Sequence, residues 1–390
     1  MSQSKFKVGS LLGSTALVAL GVAFAGQATA ADNARVVKSS KDQISLKISG
    51  QFSREITIVD DGFSTRVRHQ DSNYSSSRFR FHASGKINAN MKVGGQSEIA
   101  IDDNRNAPAN TRTTANNGRS GNDLQTRKTE IFITHNQFGR IWMGAGDPAA
   151  NGVMNTVTHG IYSALPGFMG LITSGVQYRN AGAETLTGTS LATAHADLDF
   201  NSRRTRVRYD TPVIAGFMAS VSHSDGQEIE AALRYSGKIF DSKVKAAMGA
   251  AYNTLEGDTI TEMYGAQMSF VHSSGLGLTG GCAYQKNEAL NSVGGNNEVD
   301  NSSPAGCVIQ GHFQRKFNEL GKSSLVVEYD QKENIAGAGD TSTGIGVTLH
   351  QAIDAAAMEV WVKYSNFELD REGVDTDDID TFTLGTRMKF

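Results

Sequence analysis

A chain of 390 residues with 42 Gly, 5 Pro and 2 Cys, at a formal net charge of −3, can build one large fold and gives no support to nucleic-acid binding. Its mean hydropathy of −0.32, with no long apolar stretch after residue 30, excludes spanning helices. A transmembrane barrel is not excluded, because its strands alternate apolar and polar residues and average to a low hydropathy.

The chain opens with Lys5 and Lys7, continues with an apolar run over 11–24, and reaches Ala28-Thr29-Ala30. That order predicts a secretory signal cleaved after Ala30, its apolar run being shorter than the roughly 20 residues of a membrane anchor. Residues 31–390 then form a single domain, with no linker or break in composition. Removing Lys5 and Lys7 takes the charge of −3 to −5.

From Ile44 to Ile58, Ile44, Leu46, Ile48, Phe52, Ile56 and Ile58 alternate with polar residues, which predicts a long first strand. Asp60-Asp61-Gly62 opens a polar loop. The chain returns with Phe79, Phe81 and Ala83 on one face and Arg78, Arg80 and His82 on the other. A turn near Asn88, a third strand to Ile101, a polar loop over 103–123, a fourth strand over 124–136 with Lys128 on its polar face, a turn at Phe138-Gly139 and a fifth strand RIWMGAG follow.

Residues 147–201 are rich in Gly, Ala, Thr and Asn and carry only scattered strand signal; a loop this long in a compact chain is usually functional. In RRTRVRYDTPVIAGF, 203–217, Val207 and Tyr209 share one side while Arg204, Arg206, Arg208 and Asp210 share the other. Pro212 stops the ladder, and alternation resumes at Phe217 after a tight turn. Nine more strands bring the total to sixteen. The gaps alternate, with short turns at one end of a barrel and mostly longer polar loops at the other. The even count places both termini at the short-turn end. All five prolines, Pro108, Pro148, Pro166, Pro212 and Pro304, fall in loops or turns.

Arg78, Arg80, His82, Lys128, Arg204, Arg206 and Arg208 make an inward basic wall, and such a wall has to be wet, since unpaired charge in an apolar core is costly. Positive pore linings favour anions, whereas the acidic total charge and the inward acids Glu98, Asp102, Glu328, Asp330 and Glu359 favour cations. Arg54 falls on the apolar face of the first strand, pointing either to a subunit interface or to a local bulge. Cys282 and Cys307 lie on the outward faces of neighbouring strands, where a disulfide and two unbonded small residues are both open readings. No metalloprotease, paired-cysteine or nucleophile-elbow motif is present. His195 with Asp197, and Asp60 with Asp61, carry ligand chemistry, but solvated loop pairs are the plainer reading. No metal and no cofactor are implied.

The ordered set ISLKISGQFSREITIVDDG, FGRIWMGAGDPAANG, VRYDTPVIAGF and a terminal Phe390 resembles the Gram-negative general porins, most closely the alphaproteobacterial trimeric porins, over the whole mature chain. The resemblance implies an all-β, sixteen-stranded antiparallel transmembrane β-barrel with a long third external loop folded into the lumen. It implies a homotrimer in outer-membrane lipid and lipopolysaccharide, assembled by the barrel assembly machinery that reads Phe390. In that family an arginine wall faces carboxylates of the third loop. Here those acids are Asp147, Glu184, Asp197 and Asp199, and the loop's middle, GIYSALPGFMGLITSG, is apolar.

The expected function is a non-enzymatic outer-membrane channel for passive diffusion of ions and small hydrophilic solutes. A solute-specific channel, a barrel-borne hydrolase and an exported β-sandwich are the alternatives.

Overall fold

The computed structural model describes residues 36–38, 44–101, 124–171, 175–253, 260–287 and 303–390. The predicted signal and the polar loop over 103–123 lie outside the described residues.

Sixteen antiparallel strands close on themselves. β1 is Ile44–Asp60, β2 is formed by Thr65–Asp71 and Arg78–Lys86, β3 is Met91–Ile101, β4 Leu124–His135, β5 Gly139–Gly146 and β6 Arg204–Asp210. There follow β7 Phe217–Ser224, β8 Glu228–Ile239, β9 Ser242–Tyr252, β10 Ile260–His272 and β11 Leu276–Asn287. The last five are β12 Ala305–Asn318, β13 Gly321–Glu333, β14 Thr341–Ile353, β15 Met358–Asp370 and β16 Ile379–Lys389. Each strand pairs with the next, and β16 pairs with β1 from Gln51↔Lys389 to Asp60↔Asp380. Closure leaves no barrel edge to satisfy, as hydrocarbon requires.

The alternation read from the sequence sorts the side chains inside out. Phe52, Ile56, Val207, Leu233, Met248 and Leu384 are 42–55 % exposed on the outer face, an arrangement suited to apolar surroundings such as lipid or a second subunit. Between them, Ser53, Glu55, Thr57, Arg206, Glu230 and Thr383 point inward and are buried. Arg54 is exposed on the outer face of β1, as its parity predicts.

The short-turn end is tight for local reasons. After Pro212, Ile214 and Phe217 exchange two backbone hydrogen bonds of 2.9 Å across Ala215 and Gly216, whose φ values of 51° and 88° are those of a two-residue hairpin turn. Phe390 closes the seam: Gly50 and Phe390 exchange backbone hydrogen bonds of 2.8 and 3.1 Å, and the Phe390 ring packs between Phe52 and Phe79.

Three details differ from the expectation. The polar loop expected after Asp60 is a turn over 61–64, and the ladder continues through Thr65–Asp71. β2 then breaks at 72–77, where Asp71 accepts from the Ser77 backbone and hydroxyl and Tyr74 turns inward to Lys363, 2.6 Å from its Nζ. The connection over 225–227, at the end expected to carry the longer loops, is also a tight turn.

Cys282 and Cys307 are cross-strand partners of β11 and β12 and are joined by a disulfide; both are exposed on the outer face.

Candidate functional site

The segment between β5 and β6 carries little repetitive structure of its own: a hairpin of Gln177–Arg179 with Leu186–Ser190, one helical turn at Leu191–Ala194, and short 3-10 turns. Its backbone donors and acceptors must therefore be met elsewhere, and the inner wall supplies them in strand order. Ala149 N donates to Ser222 Oγ of β7 (2.8 Å) and Ala150 N to Glu230 Oε2 of β8 (2.7 Å). Thr158 N donates to Ser269 Oγ of β10 (2.9 Å) and Gly167 N to Glu328 Oε1 of β13 (3.0 Å). Lys332 Nζ, also on β13, donates to the carbonyls of Gly167 and His195. Arg179 then pairs with Asp61, just past β1, at 2.8 Å.

Apolar contacts follow the same path. Val153, Met154, Leu198 and Phe200 pack on Ala232, Ala247, Ala251 and Ala283 of the wall. Met169, Tyr178, Leu191 and Ala194 pack on Val59, Phe367, Leu369 and Ile379. The segment thus lies against the wall from β7 round to β16 and β1.

The arc of β2 to β5 carries none of these anchors, and there a cavity of about 1500 Å³ opens between the wall and the free face of the segment. Among the described residues, nine Lys and Arg side chains line it against four carboxylates. Glu98 of β3 is shared by three arginines: Arg78 Nη1 at 3.1 Å, Arg80 Nε at 2.6 Å and Arg127 Nε at 2.6 Å. Arg203 is close enough to Arg78 for their charges to repel. Lys128 pairs with Asp147 at the start of the long segment. Further round the cavity, Arg234 donates to the Asn151 carbonyl, and Arg387 pairs with Glu359 while covering the ring of Tyr162.

Of the residues singled out from the sequence, Arg78, Arg80, His82, Lys128, Asp147, Asp197 and Asp199 line this cavity. Arg204, Arg206 and Arg208 point to the same side of β6 but are held on the wall by neighbouring acids: Arg204 by Glu228, Arg206 by Glu130 and Arg208 by Asp210. The cavity lining instead includes Arg203, one residue earlier. Glu184 is exposed, and its carbonyl accepts from Arg179.

Asp199 of the long segment is turned into it. Asp199 accepts from Gly152 N at 2.6 Å and Met154 N at 3.1 Å. Burial, reinforced by the nearby Asp197, pushes its carboxyl up to about 7 against the pull of those backbone hydrogen bonds. Burial also raises Asp197. His195 is not a solvated loop residue: it is fully buried, bonded to the Tyr178 hydroxyl at 2.8 Å and 3.7 Å from Asp330.

Arg127 escaped the parity argument. The ladder slips between Glu98↔Lys128 and Ile99↔Thr126, so Arg127 is the extra residue of a bulge and it and Lys128 both reach the cavity. Arg387 could have been found by continuing the inward set Thr381, Thr383 and Gly385 along the last strand.

A family model described as Gram-negative porin matches residues 13–388. The chain belongs to the Gram-negative porin family. A comparison with curated protein sequences finds no match. Among solved structures, this porin is similar to the anion-selective porin from Comamonas acidovorans, with TM-score 0.60 and 12 % identity over 89 % of this chain and 100 % of that one. It is also similar to OmpT, an outer membrane protein of Vibrio cholerae (TM-score 0.57, 15 % identity, 92 % and 100 % covered). A third likeness is to the outer membrane channel DcaP of Acinetobacter baumannii (TM-score 0.56, 12 % identity, 91 % and 99 % covered). At these identities the likeness is one of fold, and the porin's own residues have to carry the argument about its lumen.

Proposed function

We propose that this porin is a passive, water-filled outer-membrane channel whose passage runs between the β2 to β5 wall and the long segment, and that it favours anions. One observation supports the selectivity: three of the inward acids, Glu230, Glu328 and Asp330, are taken up beneath the long segment. Glu230 and Glu328 hold backbone N–H groups of the long segment, and Asp330 sits beneath it against Lys332. What remains along the open cavity, among the described residues, is nine Lys and Arg side chains to four acidic ones. A positive lining raises the local anion concentration.

The long segment narrows the lumen in this reading, and Asp147, Asp197 and Asp199 lie at its edge without forming an acidic face opposite the arginines. The likeness to alphaproteobacterial trimeric porins supports a homotrimer. So does Arg54, exposed on the outer face of β1 where a subunit contact would cover it. One structural neighbour is described as a trimer form. Residues 1–30 serve as the cleaved export signal, and Phe390 as the terminal residue read during assembly. Family membership supports a channel over a barrel-borne hydrolase.

The test is the zero-current potential of the purified protein in a planar bilayer under a potassium chloride gradient. The sign for chloride preference is expected; potassium preference would overturn the anion assignment, and absence of conductance would overturn the channel itself.

A further inference from the structure

The free face of the long segment carries an apolar patch at Tyr162, Leu165 and Phe168, beside polar residues such as Asn151, Asn155 and Thr156. Tyr162 is 47 % exposed although it lies inside a barrel, and Leu165 and Phe168 beside it are half-buried; all three line the cavity. Of the long segment's four acids, Asp197 lines the cavity with burial raising its carboxyl, and the other three are engaged or lie elsewhere. Asp147 pairs with Lys128, Asp199 is turned into the segment by Gly152 and Met154, and Glu184 is outside the lining. Across the cavity, Arg80 and Arg127 each reach Glu98 through Nε alone, one of the five N–H groups of a guanidinium.

Resting on the porin reading above, we propose that the passage has a subsite for organic monoanions that carry an aromatic or branched apolar body. The carboxylate lies against Arg80 and Arg127, whose planar forks match its two oxygens. The body lies on Leu165, Phe168 and the part of Tyr162 that Arg387 leaves exposed. A small inorganic anion uses only the first wall. A neutral polar solute uses neither well, because desolvating its hydroxyls against an apolar face gives no return. A carboxylate with an apolar body satisfies both walls at once, and its residence in the passage is longer than that of acetate, which has the same head group and almost no body.

The experiment is single-channel recording of chloride current with sodium benzoate or sodium acetate added at equal concentrations. Chloride conductance without either acid tests the porin reading separately. Benzoate is expected to interrupt the current at a concentration about tenfold lower than acetate, from the apolar area it buries. Tyr162→Ser combined with Phe168→Ser should bring benzoate to the level of acetate, and Arg80→Gln with Arg127→Gln should weaken both. Equal action of benzoate and acetate on the wild-type channel would overturn the proposal, and this comparison needs no variant to fold. So would a benzoate effect that survives the loss of Tyr162 and Phe168 in a conducting variant.

Discussion

The Arg387 guanidinium lies over the Tyr162 ring, 4.6 Å from its centroid, while pairing with Glu359. The last strand of the barrel is thereby joined to the long segment at the edge of the passage, through a contact that a partly desolvated cation and ring make worth about 1 kcal/mol. Tyr162→Ala should leave the barrel folded and raise open-channel current noise, because the segment loses its tie on that side. Noise spectra of wild type and variant at one voltage check this; identical spectra would mean that the other anchors hold the segment alone.

Among the described residues, Glu98 is the single carboxylate paired with three guanidiniums. Replacing it with Gln removes one negative charge and leaves Arg78, Arg80 and Arg127 to one another. The zero-current potential should move further toward the chloride value, and the barrel should lose about 1 to 3 kcal/mol through weakened charge-assisted hydrogen bonds. A shift toward potassium would contradict the placement of these residues on the passage.

Arg206 is engaged differently, almost fully buried against Glu130. Arg206→Gln should cost about 3 to 5 kcal/mol, as expected when one partner of a buried pair is removed, with little change in ion selectivity. Thermal unfolding in detergent, set beside the zero-current potential, separates the two effects. The opposite pattern, with stability kept and selectivity lost, would put Arg206 on the passage.

The docking of the long segment should depend on pH through Asp199. Its carboxyl stands near 7 in the folded protein against an ordinary value of 3.8, chiefly because it is buried. Between those values the folded state binds more protons than the undocked one, so docking stability is full below about 3.8, falls as pH rises toward 7, and levels off above it. Susceptibility of the segment to limited proteolysis should therefore increase from pH 5 to pH 8. Asp199→Asn should flatten that dependence; an unchanged slope would assign it to another group.

The Cys282–Cys307 bond closes a sequence separation of 25 between β11 and β12, with both residues on the outer face. In the loop-entropy model a closure of that length contributes about 3 kcal/mol. Cys282→Ser with Cys307→Ser should lower the unfolding midpoint while conductance stays as in wild type, since neither residue reaches the lumen cavity. A changed conductance would show that the strand pair responds to its loss on the inner face as well.

The strands were legible in the sequence because alternation between lipid and lumen is a local, one-dimensional signal. The parity of Val207 and Arg206 needs no knowledge of any other strand, and the turns at Asn88, Phe138 and Pro212 follow from local chemistry. The piece Thr65–Asp71 was missed because its residues, TRVRHQD, are polar on both faces and show no clear period.

The candidate site was legible only in part. Arg78 and Arg80 were assigned by parity alone. Arg206 was assigned to the same wall by the same rule and is instead buried on Glu130, a residue of β4 that β6 meets only after the long segment has passed. Arg127 was hidden by a bulge, which shifts parity without leaving a mark in the hydrophobic pattern.

By itself, then, the amino-acid sequence determined the barrel, its strand count, the outward face of the clearly alternating strands, and the acidic total. Only the tertiary structure decided which inward charges meet water. That depends on where the aperiodic segment between β5 and β6 runs, and its path is set by distant partners such as Glu230, Glu328 and Lys332. By taking up acids as anchors, the path leaves the cavity, among the described residues, with nine Lys and Arg side chains to four acidic ones.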